Sequence, residues 1–91
     1  MLYLRSSTYD PSALVLTVRF ASPSGARRET YQYRGVDPEL AERFRRARPN
    51  VHALIEEVIA PTHEVRRAGA ATWEAPGPCP ALTEPADPTD A

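Results

Sequence analysis

The chain has 91 residues, 11 arginines and no lysine, 12 acidic residues, one cysteine and a formal charge of −1. That length supports one small domain burying about 60–65% of its unfolded surface, which leaves no room for a deep catalytic cleft on top of a scaffold. The lone Cys79 excludes an internal disulfide and a cysteine-built zinc site, and no apolar run approaches the roughly 18–20 residues of a membrane-spanning helix.

Residues 2–9 are β-tolerant and predict a first strand with Leu2 and Leu4 on one face and Tyr3, Arg5 and Ser7 on the other. Asp10-Pro11-Ser12 is turn chemistry: proline presets φ, and the aspartate accepts from backbone amides just beyond it. Residues 13–21 follow as a second strand, because Leu14, Leu16, Val18 and Phe20 alternate with Ala13, Val15, Thr17 and Arg19. After the Ser22–Ala26 turn, residues 28–34 make a third strand, with Tyr31 and Tyr33 opposite Thr30, Gln32 and Arg34.

Asp37-Pro38-Glu39 starts a helix in which Asp37 caps free amides and Pro38 sits where its missing N–H costs nothing. Its stripe of Leu40, Ala41, Phe44 and Ala47 covers the apolar strand face, and Pro49 ends it. A second helix spans 51–60 with Val51, Leu54, Ile55 and Val58 inward, and residues 62–71 are expected to add one helical turn around Val65. The expected fold is therefore α+β: a three-stranded antiparallel meander packed on one face by two short helices, with an extended, Pro-rich C-terminal tail. The domain is expected over 1–67 and the tail over 68–91, since five of the ten prolines lie in the last sixteen residues. Residues 1–68 hold all eleven arginines against eight acidic residues, a net +3, while the remainder carries Glu74, Glu84, Asp87 and Asp90, a net −4.

Tyr9-Asp10, Leu16-Thr17-Val18-Arg19-Phe20, Tyr31-Gln32-Tyr33 and Gly35-Val36 together resemble the KTSC family, small domains named for a segment at the C-terminus of some lysyl-tRNA synthetases. The resemblance covers residues 5–60, with Asp37 standing between Val36 and Pro38. It implies the fold above, an occurrence as stand-alone, fused or phage-related proteins, and no defined catalytic activity.

Strand alternation places Arg5, Arg19 and Arg34 on one uncovered face with Tyr3, Thr17 and Gln32, a surface suited to phosphate and base contacts or to an acidic protein. A solvated polar face is also the default for an antiparallel sheet. Tyr31 and Tyr33 read as core residues, with base stacking as the other use of exposed aromatics. On the first helix, Glu39 precedes Arg43 and Glu42 precedes Arg46 by four residues, which leaves Arg45 and Arg48 without partners, and Arg27 and Arg28 join them if the fold allows. Trp73, with Cys79 and Leu82, is an anchor that docks on the open sheet face or on a partner.

His52 and His63 lack acidic neighbours at ligand spacing, Asp10 reads as a turn former, and no cofactor is expected. The first expectation is a non-catalytic interaction module, a structural or accessory part of a larger assembly whose tail contacts a protein partner, in the phage-related setting that the resemblance implies. The alternative is an accessory domain that binds RNA or DNA through its arginine face. With no charged-then-apolar leader, a cytoplasmic place is expected, or one in a virion if the chain is phage-encoded, with no membrane partner.

Overall fold

The computed structural model describes residues 2–48 and 50–79 of the chain. Strands β1 (Tyr3–Asp10), β2 (Val15–Ala21) and β3 (Arg28–Arg34) form an antiparallel meander. Helix α1 (Pro38–Ala47) and a second helical segment follow, the latter opening as α2 (His52–Leu54) and running on as a π-helical turn over Ile55–Ile59. A short strand, β4 (Val65–Arg67), then returns to the free edge of β3. The fold is α+β, and its sheet has four strands in the order β1-β2-β3-β4 rather than the three expected.

The correction falls on residues 62–71, which do not form a helical turn. Val65 is apolar between Glu64 and Arg66, a strand-like alternation, and β3 would otherwise leave a row of backbone groups unpaired. Tyr33 therefore pairs with Val65 and Tyr31 with Arg67, while Arg34 N donates to Glu64 O at 3.1 Å and Ala68 N to Thr30 O at 2.9 Å. Packing also continues past Arg67. Val65 and Glu74 exchange both backbone hydrogen bonds, Gly77 N donates to Ala60 O at 3.0 Å, and Cys79 is buried in the core. The tail from residue 80 onward, with Leu82, Glu84, Asp87 and Asp90, lies outside the described residues.

One core joins the sheet to the helices. Leu16, Val18 and Phe20 from β2, Tyr31 and Tyr33 from β3, Phe44 from α1 and Val51, Ile55 and Ile59 from the second helical segment are all buried in a single cluster. The rings of Phe20 and Tyr31 meet edge-on, with centroids 6.5 Å apart. Asp37 caps α1 as expected, its carboxylate accepting from Leu40 N at 2.8 Å. The second helical segment buries Ile59 and Ala60, with Val58 half-buried, because the wide turn that closes Ala60 N on Ile55 O at 2.7 Å rotates its last residues relative to an α-helix.

A β-bulge in β1 revises the expected alternation. Leu4 pairs with Phe20 and Ser6 with Arg19, so Arg5 is the extra residue. Beyond it the register is inverted, with Ser7 and Tyr9 opposite the core residues Val18 and Leu16, and the Tyr9 hydroxyl donates to Val36 O at 2.6 Å.

The β1–β2 turn carries backbone strain. Asp10 Oδ1 accepts from Ser12 N at 2.9 Å and Ala13 N at 3.3 Å, and the chain turns back through Leu14, an exposed residue at φ 57°. A left-handed conformation costs a branched L-residue about 1–2 kcal/mol, whereas asparagine tolerates it. Leu14→Asn keeps the carbonyl that accepts from Val36 N, and is expected to stabilise the protein by about 1 kcal/mol, read as a higher urea midpoint at unchanged slope.

Candidate binding face

The helices cover one sheet face, and the other carries the side chains that alternate with the core. Pairing sets them in rows: Ser6, Arg19 and Thr30 across β1 to β3, and Thr8, Thr17, Gln32 and Arg66 across all four strands. Cross-strand hydrogen bonds hold these rows in place. Arg19 donates to Thr8 Oγ1 at 2.8 Å, Gln32 Nε2 to Thr17 Oγ1 at 3.5 Å, and Arg66 Nε to Gln32 Oε1 at 2.7 Å.

The arginines of this face fall into two groups. At one end Arg5, Arg19 and Arg28 line an open depression of about 460 Å³ with Ser6, Thr30, Gly25 and the β2 residues Phe20 and Ala21. The bulge explains Arg5, because an inserted residue re-aims its side chain. The turn explains Arg28: Gly25, at φ +78°, allows the reversal, and a Cβ there would lie 4.0 Å from the Arg28 guanidinium. All three arginines are exposed, and none has an ion-pair partner among the described residues.

The nearest carboxylate in sequence, Glu29, belongs to the opposite side of β3. It accepts from the Tyr31 hydroxyl and from Arg27 at 2.6 Å, with Arg67 at 3.5 Å. The Tyr31 hydrogen bond leads in holding its carboxyl below the usual range, with help from the two guanidiniums, while burial raises the Tyr31 phenol. Its charge is thus committed away from the depression.

At the other end Arg34 sits four residues beyond Thr30 on β3, roughly 13 Å at about 3.3 Å per residue. Arg34 therefore does not join Arg5 and Arg19 at one point, and Arg28 takes that place. Arg34 pairs with Glu64 at 2.6 Å, and its guanidinium lies 5.0 Å from the centre of the Trp73 ring. Arg66 lies 4.4 Å from the same centre. The Val65–Glu74 bridge fixes the segment carrying Trp73, so the ring rests on the open face, one of its two expected docking places.

Arg45 and Arg48 belong to a different surface. They border a groove of about 310 Å³ between α1 and β1 that also holds Ser7, Tyr9, Phe44 and Glu42. Arg45 is not without a partner: Glu42 receives its Nε at 3.0 Å and NH2 at 2.7 Å as a fork, and Arg46 Nε at 3.1 Å. The fork with Arg45 leads in lowering the Glu42 carboxyl pKa and raising that of the guanidinium. No Glu39–Arg43 ion pair forms among the described residues.

Protein-family models, curated proteins and solved structures offer no match to this chain. Among the described residues no group of three or more His, Cys, Asp or Glu could hold a metal, and no helix is long and apolar enough to cross a membrane. Tyr3 is exposed at the β1 edge, opposite Ala21 and so in the same cross-strand row as Arg28, and it also borders a groove with Leu4, Asn50, His52 and Ala53. His63 is held at Ile59 O and the Thr62 hydroxyl. Buried beside Cys79, the Tyr33 hydroxyl has its pKa pushed upward, by burial first and then by the thiol.

Arg28, expected with Arg27 to join Arg45 and Arg48, lies instead with Arg5 and Arg19, and the bulge at Arg5 was not foreseen. A single inserted residue leaves no mark in a polar stretch such as Arg5-Ser6-Ser7-Thr8, where either register buries the same chemistry.

Proposed function

We propose that the chain is a small non-catalytic interaction module, related to the KTSC domains it resembles, that serves as a structural or accessory part of a larger, phage-related assembly. The observation that carries this reading is Trp73, half-buried on the uncovered sheet face between Arg34 and Arg66. Tryptophan and arginine are the residues most enriched where protein partners bind tightly, and here the backbone bridge at Glu74 holds the ring in advance of binding. The sequence beyond Cys79 is proline-rich and acidic, and the reading assigns it to the same partner.

Trp73→Ala tests the reading. The ring contributes to no buried core cluster, so the variant is expected to melt within a few degrees of the wild type. In parallel pull-downs from the source cells it is expected to lose at least about tenfold in recovery of the proteins captured by the wild type, as for a central interface aromatic. Equal recovery by the two chains removes Trp73 from the interface and the reading with it.

A further inference from the structure

We infer that the depression lined by Arg5, Arg19 and Arg28 is a phosphate-backbone site, and that the sheet face running from it towards Trp73 binds single-stranded nucleic acid. The inference goes beyond the protein-interaction reading and is anchored on Arg5, Arg19 and Arg28, which that reading does not use. Three guanidiniums converge on one open depression, and its lining contains no carboxylate. Each guanidinium presents a fork of donors that matches phosphate oxygens. The Ser6 and Thr30 hydroxyls in the same lining add neutral donors.

The shape favours a strand over a small anion. The depression opens onto a flat face whose polar row of Thr8, Thr17, Gln32 and Arg66 crosses all four strands, roughly 14 Å at about 4.8 Å per strand. A polymer with a repeating charge reaches both the arginine depression and the Arg34/Arg66 end. A single anion reaches only one. A flat sheet face is also poorly shaped for a duplex groove, which admits a helix or a two-stranded ribbon, and well shaped for a splayed single strand.

Charge placement separates this face from the rest of the molecule. Glu29, next to Arg28 in sequence, is engaged by Tyr31, Arg27 and Arg67 on the core side, and Glu64 is engaged by Arg34. On α1, by contrast, Glu42 answers Arg45 and Arg46. Among the described residues six arginines have no carboxylate partner; Arg43 and Arg48 belong to the α1 side and Arg66 to β4, while Arg5, Arg19 and Arg28 share one depression.

The test uses the full chain and fluorescently labelled oligo(U) and oligo(dT) of about twelve nucleotides, a matched DNA duplex, and polyglutamate as competitor, over about 50 to 300 mM salt. Binding of a single-stranded probe is expected to weaken at least about tenfold in Arg5/Arg19/Arg28→Ala, and the slope of log K against log salt is expected to fall by about 2. Ser6→Glu, which sets a carboxylate opposite Arg19, is expected to weaken binding through charge alone and covers the case of a poorly folded triple variant. Arg43→Ala on α1 is expected to bind as the wild type does.

Four results overturn the inference: no binding by the wild type at the lowest salt, an unchanged slope in both face variants, preference for the duplex, or displacement by polyglutamate as effective as by unlabelled oligonucleotide. If any of these occurs while protein recovery still depends on Trp73, the interaction-module reading stands alone. Oligonucleotide binding that depends on the arginines, with protein recovery indifferent to Trp73, leaves this inference standing and removes that reading.

Discussion

Phe44→Ala is expected to remove about 3–5 kcal/mol of stability, the range for deleting a large buried aromatic. Phe44 is 1% exposed and, with the much smaller Ala41, is what α1 buries in the core. The loss therefore combines the transfer free energy of the ring with a cavity between α1 and the β2–β3 face that a helix held by so few residues cannot refill. For a chain of this length total stability is about 5–14 kcal/mol, so the variant sits near the unfolding threshold. At about 4–8 °C per kcal/mol its melting temperature should fall by about 12–40 °C, followed by circular dichroism and by urea denaturation. Leu40→Ala, a half-buried residue on the same stripe, is the control, with an expected loss of about 1 kcal/mol. Equal melting of the two variants would show that α1 is not anchored through Phe44.

The elements that the chain spelled out most clearly are those where local signal and burial agree. Leu16, Val18 and Phe20 alternate with solvent-facing residues and all three are buried; Asp37-Pro38 opens α1, with the carboxylate on Leu40 N. Tyr31 and Tyr33 likewise enter the core, as their register with Leu16 and Val18 demands. What escaped was decided by long-range pairing. Glu64-Val65-Arg66-Arg67 has too few apolar residues to declare a period, and only the unpaired edge of β3 makes it a strand. Ile59 is buried through a π-turn that no periodicity of 3.6 anticipates.

The binding face was legible in kind and wrong in detail. Alternation alone placed arginines on the face away from the helices, and Arg19 and Arg34 are there. It could not tell that Glu64 arrives through β4 to pair with Arg34, four residues along β3 from the Thr30 that faces Arg19, or that a bulge and a glycine turn bring Arg5 and Arg28 to Arg19. The same limit applies to Arg45. Both (i, i+3) and (i, i+4) geometries are open to Glu42, and the carboxylate takes both arginines at once.

Cys79→Asp is expected to detach the segment after β4 and to destabilise the protein by about 2–4 kcal/mol, because burying a carboxylate costs more than the segment's docking and a hydrogen bond from the Tyr33 hydroxyl can repay. Cys79 is 1% exposed, beside the Tyr33 hydroxyl, and the backbone leading to it is tied down at Ala60 by Gly77 and at Val65 by Glu74. The cost is capped. Once releasing the segment is cheaper than burying the charge, the molecule undocks it and keeps the β1-β2-β3 meander and helices. A chain truncated after Arg67 should then match Cys79→Asp in urea midpoint, both well below the wild type. Trp73, the single tryptophan, reports the release independently, since its emission should shift to the red in Cys79→Asp as the ring leaves Arg34 and Arg66. A truncated chain as stable as the wild type would return the domain boundary to residue 67, whereas coincidence of the two variants extends the folding unit to Cys79 and makes the bridge at Glu74 part of what positions the binding face.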